Sequence, residues 1–468
     1  MNTKDLAFEP LLSVSDRVRR REISPVELTQ VMIDRIDEID GTYMSYKVVL
    51  ADRALERARR AEAEIMQGHW RGPLHGVPIA VKDLCYTTFA PTAGGTTMHT
   101  GFMADFNATV VDRLETAGAI ILGKLKMTEG AYTSHHPEDP SPLNPWDPAS
   151  WVGSSSTGSG VATSAALCYA SLGSDTGGSI RFPSATCGLT GIKPTWGRVS
   201  RHGVFALADS LDHVGPMTRT AGDAGAVLGV IAGEDPNDPT ALPDPVPDYL
   251  SELGNNIRGL TIGIDRRYTT EGIDPEVVAA LAETEKVLAA LGAKIRDVRF
   301  PDFAKLVSLW IPMCSVETAI AHLEHYPVRA SEYGPDLKQL IDQGRSLSGL
   351  EVGTIMHERL KFCGGLASLF RDIDLVLVPA MPMPIPTLAQ MASYGEDPSV
   401  LHGILRFTAP FDFSGSPTIT MPNGIDKRGM PLAFQLVGRH VSEHVLVRAG
   451  HAYQSATDWH LKRPPELA

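Results

Sequence analysis

Residues 153–194 read GSSSTGSGVATSAALCYASLGSDTGGSIRFPSATCGLTGIKP, and this stretch decides the architecture of the chain. Small residues dominate its first half, and its glycines permit dihedral angles that other residues resist, so one backbone can approach another closely. The alanine-rich run from Val161 to Leu167 has no glycine or proline and predicts a buried, tightly packed helix. A second glycine turn follows at 174–181. The stretch therefore predicts two hydroxyl-bearing loops that flank one helix.

Three familiar kinds of glycine-rich or serine-rich site do not fit this order of residues. A phosphate-binding P-loop needs a lysine directly after its last glycine, and neither glycine run supplies one. The nucleophile elbow of α/β-hydrolases needs Gly-x-Ser-x-Gly, but no glycine stands two residues after Ser179. The Ser-x-x-Lys tetrad of penicillin-binding proteins is absent from the chain. A serine nucleophile in this stretch must therefore be activated in another way.

The stretch resembles the core of the amidase signature family, a glycine- and serine-rich run, a small-residue helix, and then GSDTGGSIR at 173–181. Upstream, HGVPIAVKD at 75–83 resembles the strand that ends on the catalytic lysine of that family. Downstream, SLDHVGP at 210–216 and GMPLAFQLVG at 429–438 also fit, so the resemblance spans nearly the whole chain. It implies a layered α/β/α fold in which helices cover a large, mixed, twisted β-sheet.

The resemblance also implies a catalytic set. Carried over by position, Ser179 is the acyl-forming nucleophile, Ser155 is the bridging serine after a cis Ser154–Ser155 peptide bond, and Lys82 is the ultimate base. The family usually has Gly-Gly-Ser-Ser-Gly-Gly in the first loop, whereas Ser154 and Thr157 replace glycines here. These two changes affect the loop that would contact the substrate.

The second loop is expected to stabilise developing negative charge. The backbone N–H groups expected to face the carbonyl oxygen of the substrate, as an oxyanion hole, are those of Thr176, Gly177, Gly178 and Ser179. Ser154, Asp175 and Arg181 are expected to contact the substrate or to support the loop. For Arg181 an internal acid is the favoured partner over a substrate carboxylate, and for Asp175 a loop-holding hydrogen bond is favoured over proton donation.

Elementary chemistry supports a lysine as the base. A serine hydroxyl is a weak nucleophile at neutral pH and needs a base within hydrogen-bond reach. Lysine can serve only when neutral, and burial at the end of the apolar run Val77–Val81 would lower the pKa of Lys82. Lys124 and Lys126 also lie at a strand end and are rival bases. They rank lower because their polar surroundings indicate ordinary ion pairs.

Composition limits the other functions. The 468 residues carry a net charge of -13 and no clustered basic run, which argues against a nucleic-acid partner. No apolar run is long enough to cross a bilayer and the first residues lack a signal-peptide core, so we expect a cytoplasmic protein without a membrane partner. The five cysteines include no CxxC motif and are expected to be reduced. A homo-oligomer is left open.

Metals and cofactors are not expected either. His135 and His136 are followed by Pro-Glu-Asp-Pro, which suggests a metal site at first sight. Adjacent residues on a strand face opposite sides, however, and the prolines indicate a loop, so a loop near the mouth of a pocket is favoured over a metal site. The strand-helix-strand pattern after Leu260 lacks the glycine fingerprint of a dinucleotide site.

The organisation of the chain follows from the same patterns. Residues 1–70 are predicted to form a helical scaffold, 71–232 the core with the catalytic residues, 233–257 a surface crossing rich in proline and aspartate, and 258–468 the remainder of the sheet. Within the last part, the mostly helical region 302–370 is predicted to cover the pocket. One compact domain overall is the favoured interpretation.

Three functions remain open from the sequence. The first is an amidase without metal or cofactor that hydrolyses a small amide, anilide or carbamate through an acyl or carbamoyl Ser179. The second is the glutaminase subunit of a tRNA-dependent amidotransferase, which passes ammonia to a partner. The third is a non-catalytic binding scaffold that has kept the fold, which the presence of all three catalytic residues disfavours.

Overall fold

The structure, a computed structural model, describes residues 3–394 and 397–467. Within them it has eleven strands: β1 (Tyr46–Val49), β2 (Pro78–Lys82), β3 (Ile120–Leu125), β4 (Ala170–Asp175), β5 (Thr190–Lys193), β6 (His213–Thr218), β7 (Thr261–Ile264), β8 (Lys294–Asp297), β9 (Leu375–Pro379), β10 (Thr418–Ile425) and β11 (Pro431–Gly438).

All eleven strands belong to one mixed sheet in the order β1-β3-β2-β4-β6-β5-β10-β11-β9-β7-β8. Strands β2, β3 and β4 are parallel neighbours, and so are β7, β8 and β9, whereas the strands between these two groups pair antiparallel. Every residue of β2 to β6 and of β9 is buried. Because a sheet buried on both faces needs helices on both, the architecture is the α/β class predicted from the sequence.

The described residues also form seventeen α-helices. They are α1 (Thr3–Phe8), α2 (Leu11–Arg19), α3 (Pro25–Tyr43), α4 (Ala51–Met66), α5 (Thr109–Thr116), α6 (Thr157–Ser164), α7 (Arg181–Thr186), α8 (Ala221–Ile231), α9 (Pro275–Ala290), α10 (Ala304–Ser308), α11 (Trp310–Ala321), α12 (Pro335–Ser346), α13 (Gly349–Leu369), α14 (Leu388–Tyr394), α15 (Pro398–Leu405), α16 (Ala409–Phe413) and α17 (Glu443–Ser455). Short 3₁₀ turns lie at Glu129–Ala131, Ala330–Glu332, Trp459–Leu461 and Pro465–Leu467.

Local signals in the sequence mark several of these helices. Helix α3 begins as a capping box, in which the Ser24 side chain accepts from the backbone N–H groups of Val26 and Glu27 while the Glu27 carboxylate accepts from the Ser24 N–H. Proline at the first helical position fits the same start. The start of this helix is therefore marked by residues that are adjacent in the sequence.

The sequence had suggested a purely helical section at residues 1–70, but the structure also has a strand there. Its strand β1 pairs antiparallel with β3, with Tyr46 opposite Leu125 and Val49 opposite Gly123. This strand is short and only Tyr46 and Val48 point into the protein, so it lacks the long apolar run that marks a buried strand. The section 1–70 thus contributes one edge of the sheet as well as helices.

The region 302–370 contains the helices α10 to α13. The stretch Ala304–Ala321 has the length and apolar composition of a membrane-spanning helix. It consists of two helices, however, and Trp310, Met313 and Cys314 are buried among the core residues of the protein. The stretch is therefore not one continuous helix, and part of its apolar surface packs in the core.

Candidate active site

Lys82 is the last residue of β2 and is completely buried. Its Nζ atom lies 2.7 Å from Ser155 Oγ, 2.9 Å from Ser156 Oγ and 2.8 Å from Ser174 Oγ. Three hydroxyls therefore surround one amine. A hydroxyl can either accept from an amine or donate to it, so this arrangement accommodates Lys82 in its neutral as well as its charged state.

Burial lowers the pKa of Lys82 from 10.5 to about 7, because the charged ammonium loses its hydration inside the protein. The negative charges of Asp175 and Asp212 oppose this shift, since they favour the ammonium. At neutral pH a large share of Lys82 is therefore uncharged.

Ser155 lies in the loop between Val152 and helix α6, after a cis Ser154–Ser155 peptide bond. This loop is tied to the end of β4, because Ser156 Oγ donates to the carbonyl of Ser174 and accepts from its N–H, both at 3.2 Å. Neither Ser156 nor Ser174 was singled out from the sequence. Their hydroxyls are nevertheless contacts of Lys82, and only the approach of the two loops brings them there.

Ser179 lies in the turn after β4, where it lines a cavity of about 640 Å³ together with Ser154, Thr176 and Gly177. Ser155 and Lys82 are fully buried behind the cavity wall. The Ser179 hydroxyl has no hydrogen-bond partner in the described part of the chain, so no such bond joins it to Ser155. The structure thus brings Lys82 and Ser155 into contact and exposes Ser179 to the cavity.

Asp175 holds this turn together. It is the last residue of β4, so the strand extends two residues into the segment 174–181 that was predicted to be a glycine turn. Its carboxylate accepts from the N–H groups of Gly178 at 2.7 Å and of Ile180 at 2.9 Å. The Gly178 N–H is therefore already engaged, and its assignment to the oxyanion hole is corrected. The N–H groups of Thr176, Gly177 and Ser179 make no hydrogen bond within the described residues.

Arg181 supports the same turn from inside the protein. Its guanidinium donates to the Asp175 carboxylate at 2.7 and 3.0 Å and to Asp412 Oδ2 at 2.6 Å, and it also donates to the carbonyl of Thr408. Arg181 is fully buried and does not line the cavity. Both Asp175 and Arg181 therefore act as supports of the loop. Burial opposes the charged form of Asp175, but the adjacent Arg181 guanidinium outweighs it and holds the pKa of Asp175 well below its usual range.

Thr176 is held on two sides. Its hydroxyl donates to Asp212 Oδ1 at 2.6 Å, and its carbonyl accepts from the indole Nε1–H of Trp310 at 2.8 Å. Burial raises the pKa of Asp212 to about 6, although hydrogen bonds from Thr176 and two backbone N–H groups oppose the shift. Asp212 and Trp310 are thus two site residues to which sequence reasoning gave no role.

The cavity itself is largely apolar. Its walls include the aromatic residues Tyr132, Trp151, Phe182 and Trp310, together with the aliphatic residues Leu340 and Leu405. No lysine or arginine lines it in the ranges that the structure describes. The histidine and carboxylate side chains among these lining residues are His135 and the exposed Asp336. Burial lowers the pKa of His135 to about 4, which leaves the imidazole neutral at physiological pH.

The rival lysines lie elsewhere. Lys124 Nζ contacts Asp83 at 3.2 Å and Thr92 Oγ1 at 2.5 Å, and Lys126 Nζ lies 3.0 Å from Asp139. A third buried amine, Lys193, was not considered from the sequence. Burial lowers its pKa to about 7 as well, but it contacts His213 Nε2 at 3.0 Å and none of the serines.

The two adjacent histidines, His135 and His136, lie in different surroundings. His135 Nε2 lies 3.1 Å from Thr157 Oγ1 and lines the cavity, as expected for a loop at the pocket, whereas His136 does not line it. Among the described residues no group of three or more His, Cys, Asp or Glu side chains is arranged to hold a metal ion.

Two solved structures of similar fold are named as a hydrolase and an amidase. The 6-aminohexanoate cyclic dimer hydrolase in complex with its substrate superposes with a TM-score of 0.88 at 26% identity, over 99% of this chain and 100% of that one. Peptide amidase from Stenotrophomonas maltophilia gives a TM-score of 0.81 at 25% identity, over 97% and 98%. Fold and site together define a class: enzymes that hydrolyse carbon–nitrogen bonds.

Sequence relatives identify the family. A family model described as Amidase matches residues 27–447. The protein named "Putative amidase AmiD" of Mycobacterium tuberculosis (strain ATCC 25618 / H37Rv) is 50% identical over 455 residues, which cover 97% of this chain and 95% of the relative. A glutamyl-tRNA(Gln) amidotransferase subunit of Geobacter sp. (strain M21) is 35% identical over 483 residues, covering 96% and 97%. The chain belongs to the amidase family.

Proposed function

We propose that this amidase hydrolyses small, uncharged amides, anilides or carbamates through a covalent acyl or carbamoyl Ser179, with Lys82 as the base and Ser155 as the proton relay. The observation that carries this proposal is the buried contact of 2.7 Å between Lys82 Nζ and Ser155 Oγ, with the pKa of Lys82 lowered to about 7. A neutral amine held against a hydroxyl is what a serine nucleophile needs for activation.

The proposed reaction begins with two proton transfers. Neutral Lys82 takes the proton of Ser155 Oγ while Ser155 takes the proton of Ser179 Oγ, and Ser179 Oγ attacks the carbonyl carbon of the substrate. Free enzymes often form such contacts only once the substrate is bound, and the proposal requires the Ser179 hydroxyl to turn towards Ser155 at that stage. The carbonyl oxygen then becomes an oxyanion, which the free N–H groups of Thr176, Gly177 and Ser179 are suited to stabilise.

The second half of the reaction runs through the same relay. The tetrahedral intermediate collapses, the C–N bond breaks, and the leaving nitrogen receives the proton that Lys82 had taken, by way of Ser155. Water then attacks the acyl-enzyme, its proton passes to Lys82, and Ser179 leaves with a proton from the relay. A carbamate forms a carbamoyl-enzyme through the same relay, but its C–O bond breaks, the alcohol oxygen takes the proton from the relay, and the nitrogen stays on the carbonyl carbon until water releases it.

The composition of the cavity supports an uncharged substrate. Glutamine, the substrate of the alternative glutaminase function, carries a carboxylate and an ammonium group, and a buried charge needs an opposite partner. The lining residues offer the glutamine carboxylate no lysine or arginine in the part of the chain that the structure describes. Neutral His135 and the apolar walls are better matched to a neutral ligand.

The pH dependence of acylation should follow the protonation state of the Lys82 amine. Because the neutral amine is the active form and its pKa lies at about 7, kcat/KM should rise through pH 7 and level off above it. The Asp212 carboxylate holds the pKa of Lys82 up, so Asp212→Asn should move the rise to lower pH. The measurement is kcat/KM from about pH 5 to pH 9 for both proteins. A flat profile across neutral pH in the wild type would contradict a lysine base.

A substrate panel tests the function directly. Primary amides, anilides, esters and carbamates, together with glutamine, should be incubated with the protein, and the intact protein mass recorded during turnover. We expect an added acyl or carbamoyl mass with neutral substrates and a much lower kcat/KM for glutamine. Preferred turnover of glutamine would favour the glutaminase function, and absence of both turnover and labelling would favour a binding scaffold.

A further inference from the structure

The two glycines before Ser179 are enclosed between two aromatic rings. A Cβ atom placed on Gly177 would lie 2.3 Å from Cζ2 of Trp310, and one placed on Gly178 would lie 2.3 Å from Cε2 of Phe182. Gly178 also has a φ of +134°, which side chains rarely tolerate. Only glycine fits at either position, because the rings contact the backbone of the loop directly.

The same rings form the wall of the cavity beside Ser179. Trp310 and Phe182 both line it, and Trp151 continues the wall with its ring centroid 5.6 Å from that of Phe182. A substrate whose carbonyl carbon reaches Ser179 must therefore place its neighbouring group against aromatic surface. Aromatic rings pack favourably with one another in offset or edge-on geometry, which favours a flat, apolar group.

Trp310 differs from the other rings because it also makes a hydrogen bond to the loop. Its indole N–H donates to the carbonyl of Thr176 at 2.8 Å, and Thr176 is the first residue of the proposed oxyanion loop. Trp310 is the first residue of α11 and comes from the pocket-covering region 302–370. The Trp310 side chain thus lines the cavity for the substrate and also contacts the backbone that would bind the oxyanion.

We propose that Trp310 is a positioning and specificity-determining residue of this amidase: its ring selects a flat, aromatic acyl group, and its N–H fixes Thr176 for stabilisation of the oxyanion. This inference rests on the proposed function and adds the class of acyl group to it. The two roles reside in different parts of the indole, so they are separable by substitution. Trp310→Phe keeps an aromatic ring and removes the donor, whereas Trp310→Leu removes both.

The test uses two esters with the same leaving group, 4-nitrophenyl benzoate and 4-nitrophenyl cyclohexanecarboxylate. Their acyl groups have the same number of carbon atoms and differ in flatness. We expect the wild type to acylate faster with the benzoate. Trp310→Phe should lower kcat for both esters by about fivefold, the effect expected from the loss of one hydrogen bond. Its KM values and its preference for the benzoate over the cyclohexanecarboxylate should be nearly unchanged. Trp310→Leu should in addition lower the preference by roughly three- to tenfold.

Trp146→Phe is the matched control. The Trp146 indole also donates to a backbone carbonyl, that of Cys187 at 3.0 Å, but the residue does not line the catalytic cavity. This variant should retain the wild-type kcat and preference. Thermal unfolding of all three variants separates a loss of fold from a loss of positioning.

The outcomes separate the two proposals. If the wild type neither turns over nor is acylated at Ser179 by these esters or by any neutral member of the substrate panel, the proposed function fails. If Ser179 is acylated but the wild type prefers the cyclohexyl ester, or Trp310→Leu keeps the preference, or Trp310→Phe keeps kcat, the inference about Trp310 is overturned and the proposed function stands.

Discussion

Replacing Ser179 with alanine should lower amide turnover by at least about 10⁴-fold, because the variant has no atom that can form the acyl-enzyme. The change removes one oxygen from a side chain that makes no hydrogen bond within the described residues, so we expect little effect on the free energy of unfolding. The measurement is kcat/KM on the best substrate of the panel, with the intact mass recorded after treatment with a phosphonylating reagent. The variant should remain unlabelled.

Ser346→Ala serves as the control for this experiment. Ser346 ends α12 and its hydroxyl donates to the carbonyl of Gln343 on the same exposed helix turn. It should label and turn over like the wild type. Persistent labelling of Ser179→Ala at another serine, with turnover retained, would show that the nucleophile had been assigned to the wrong residue.

Replacing Lys82 with methionine should lower kcat/KM by at least about 10³-fold and abolish the rise in activity through neutral pH. Methionine is unbranched and fills a similar space, so the variant removes the amine while keeping the volume of the buried site. The loss follows because Ser155 would no longer have a base to which it could pass a proton. The measurement is the pH profile of acylation, together with the free energy of unfolding.

Lys126→Met is the matched control, since Lys126 was a rival base in the sequence and its amine pairs with Asp139 at 3.0 Å instead of with a serine. Partly exposed ion pairs contribute little, so this variant should keep kcat/KM within about threefold. A greater loss in Lys126→Met than in Lys82→Met would move the base out of the Lys82 site. Lys124 is less suitable as a control, because breaking its buried pair with Asp83 should destabilise the fold.

Paired charges support the turn that carries Ser179. Asp175 accepts from backbone N–H groups on one side and from Arg181 on the other, and Arg181 reaches Asp412 on α16. A buried charge is tolerated only when it is paired and hydrogen-bonded. Asp175, Arg181 and Asp412 therefore hold one another in position through their hydrogen bonds. The turn that carries Ser179 is thereby attached to a segment 231 residues away in sequence from Arg181.

Much of the fold could be predicted from local pattern. The capping box at Ser24, the proline that starts α9, and the apolar runs of β2, β3 and β9 each carry their signal within a few residues. Strand β4 was missed because it consists mostly of small and polar residues, and β6 was missed because a glycine and a proline interrupt its apolar residues. Likewise β1 is too short to be recognised without its partner β3.

The sequence by itself determined the kind of chemistry to look for, because the order of Lys82, Ser155 and Ser179 in their motifs needs no knowledge of distances. The tertiary structure decided which groups surround them. Ser156 and Ser174 contact Lys82, and the Gly178 N–H donates to Asp175. Trp310, from the region 302–370, packs against Gly177. Most of these contacts join segments far apart in the chain, and such contacts arise only when the sheet and its helices pack together, so no local pattern of residues records them.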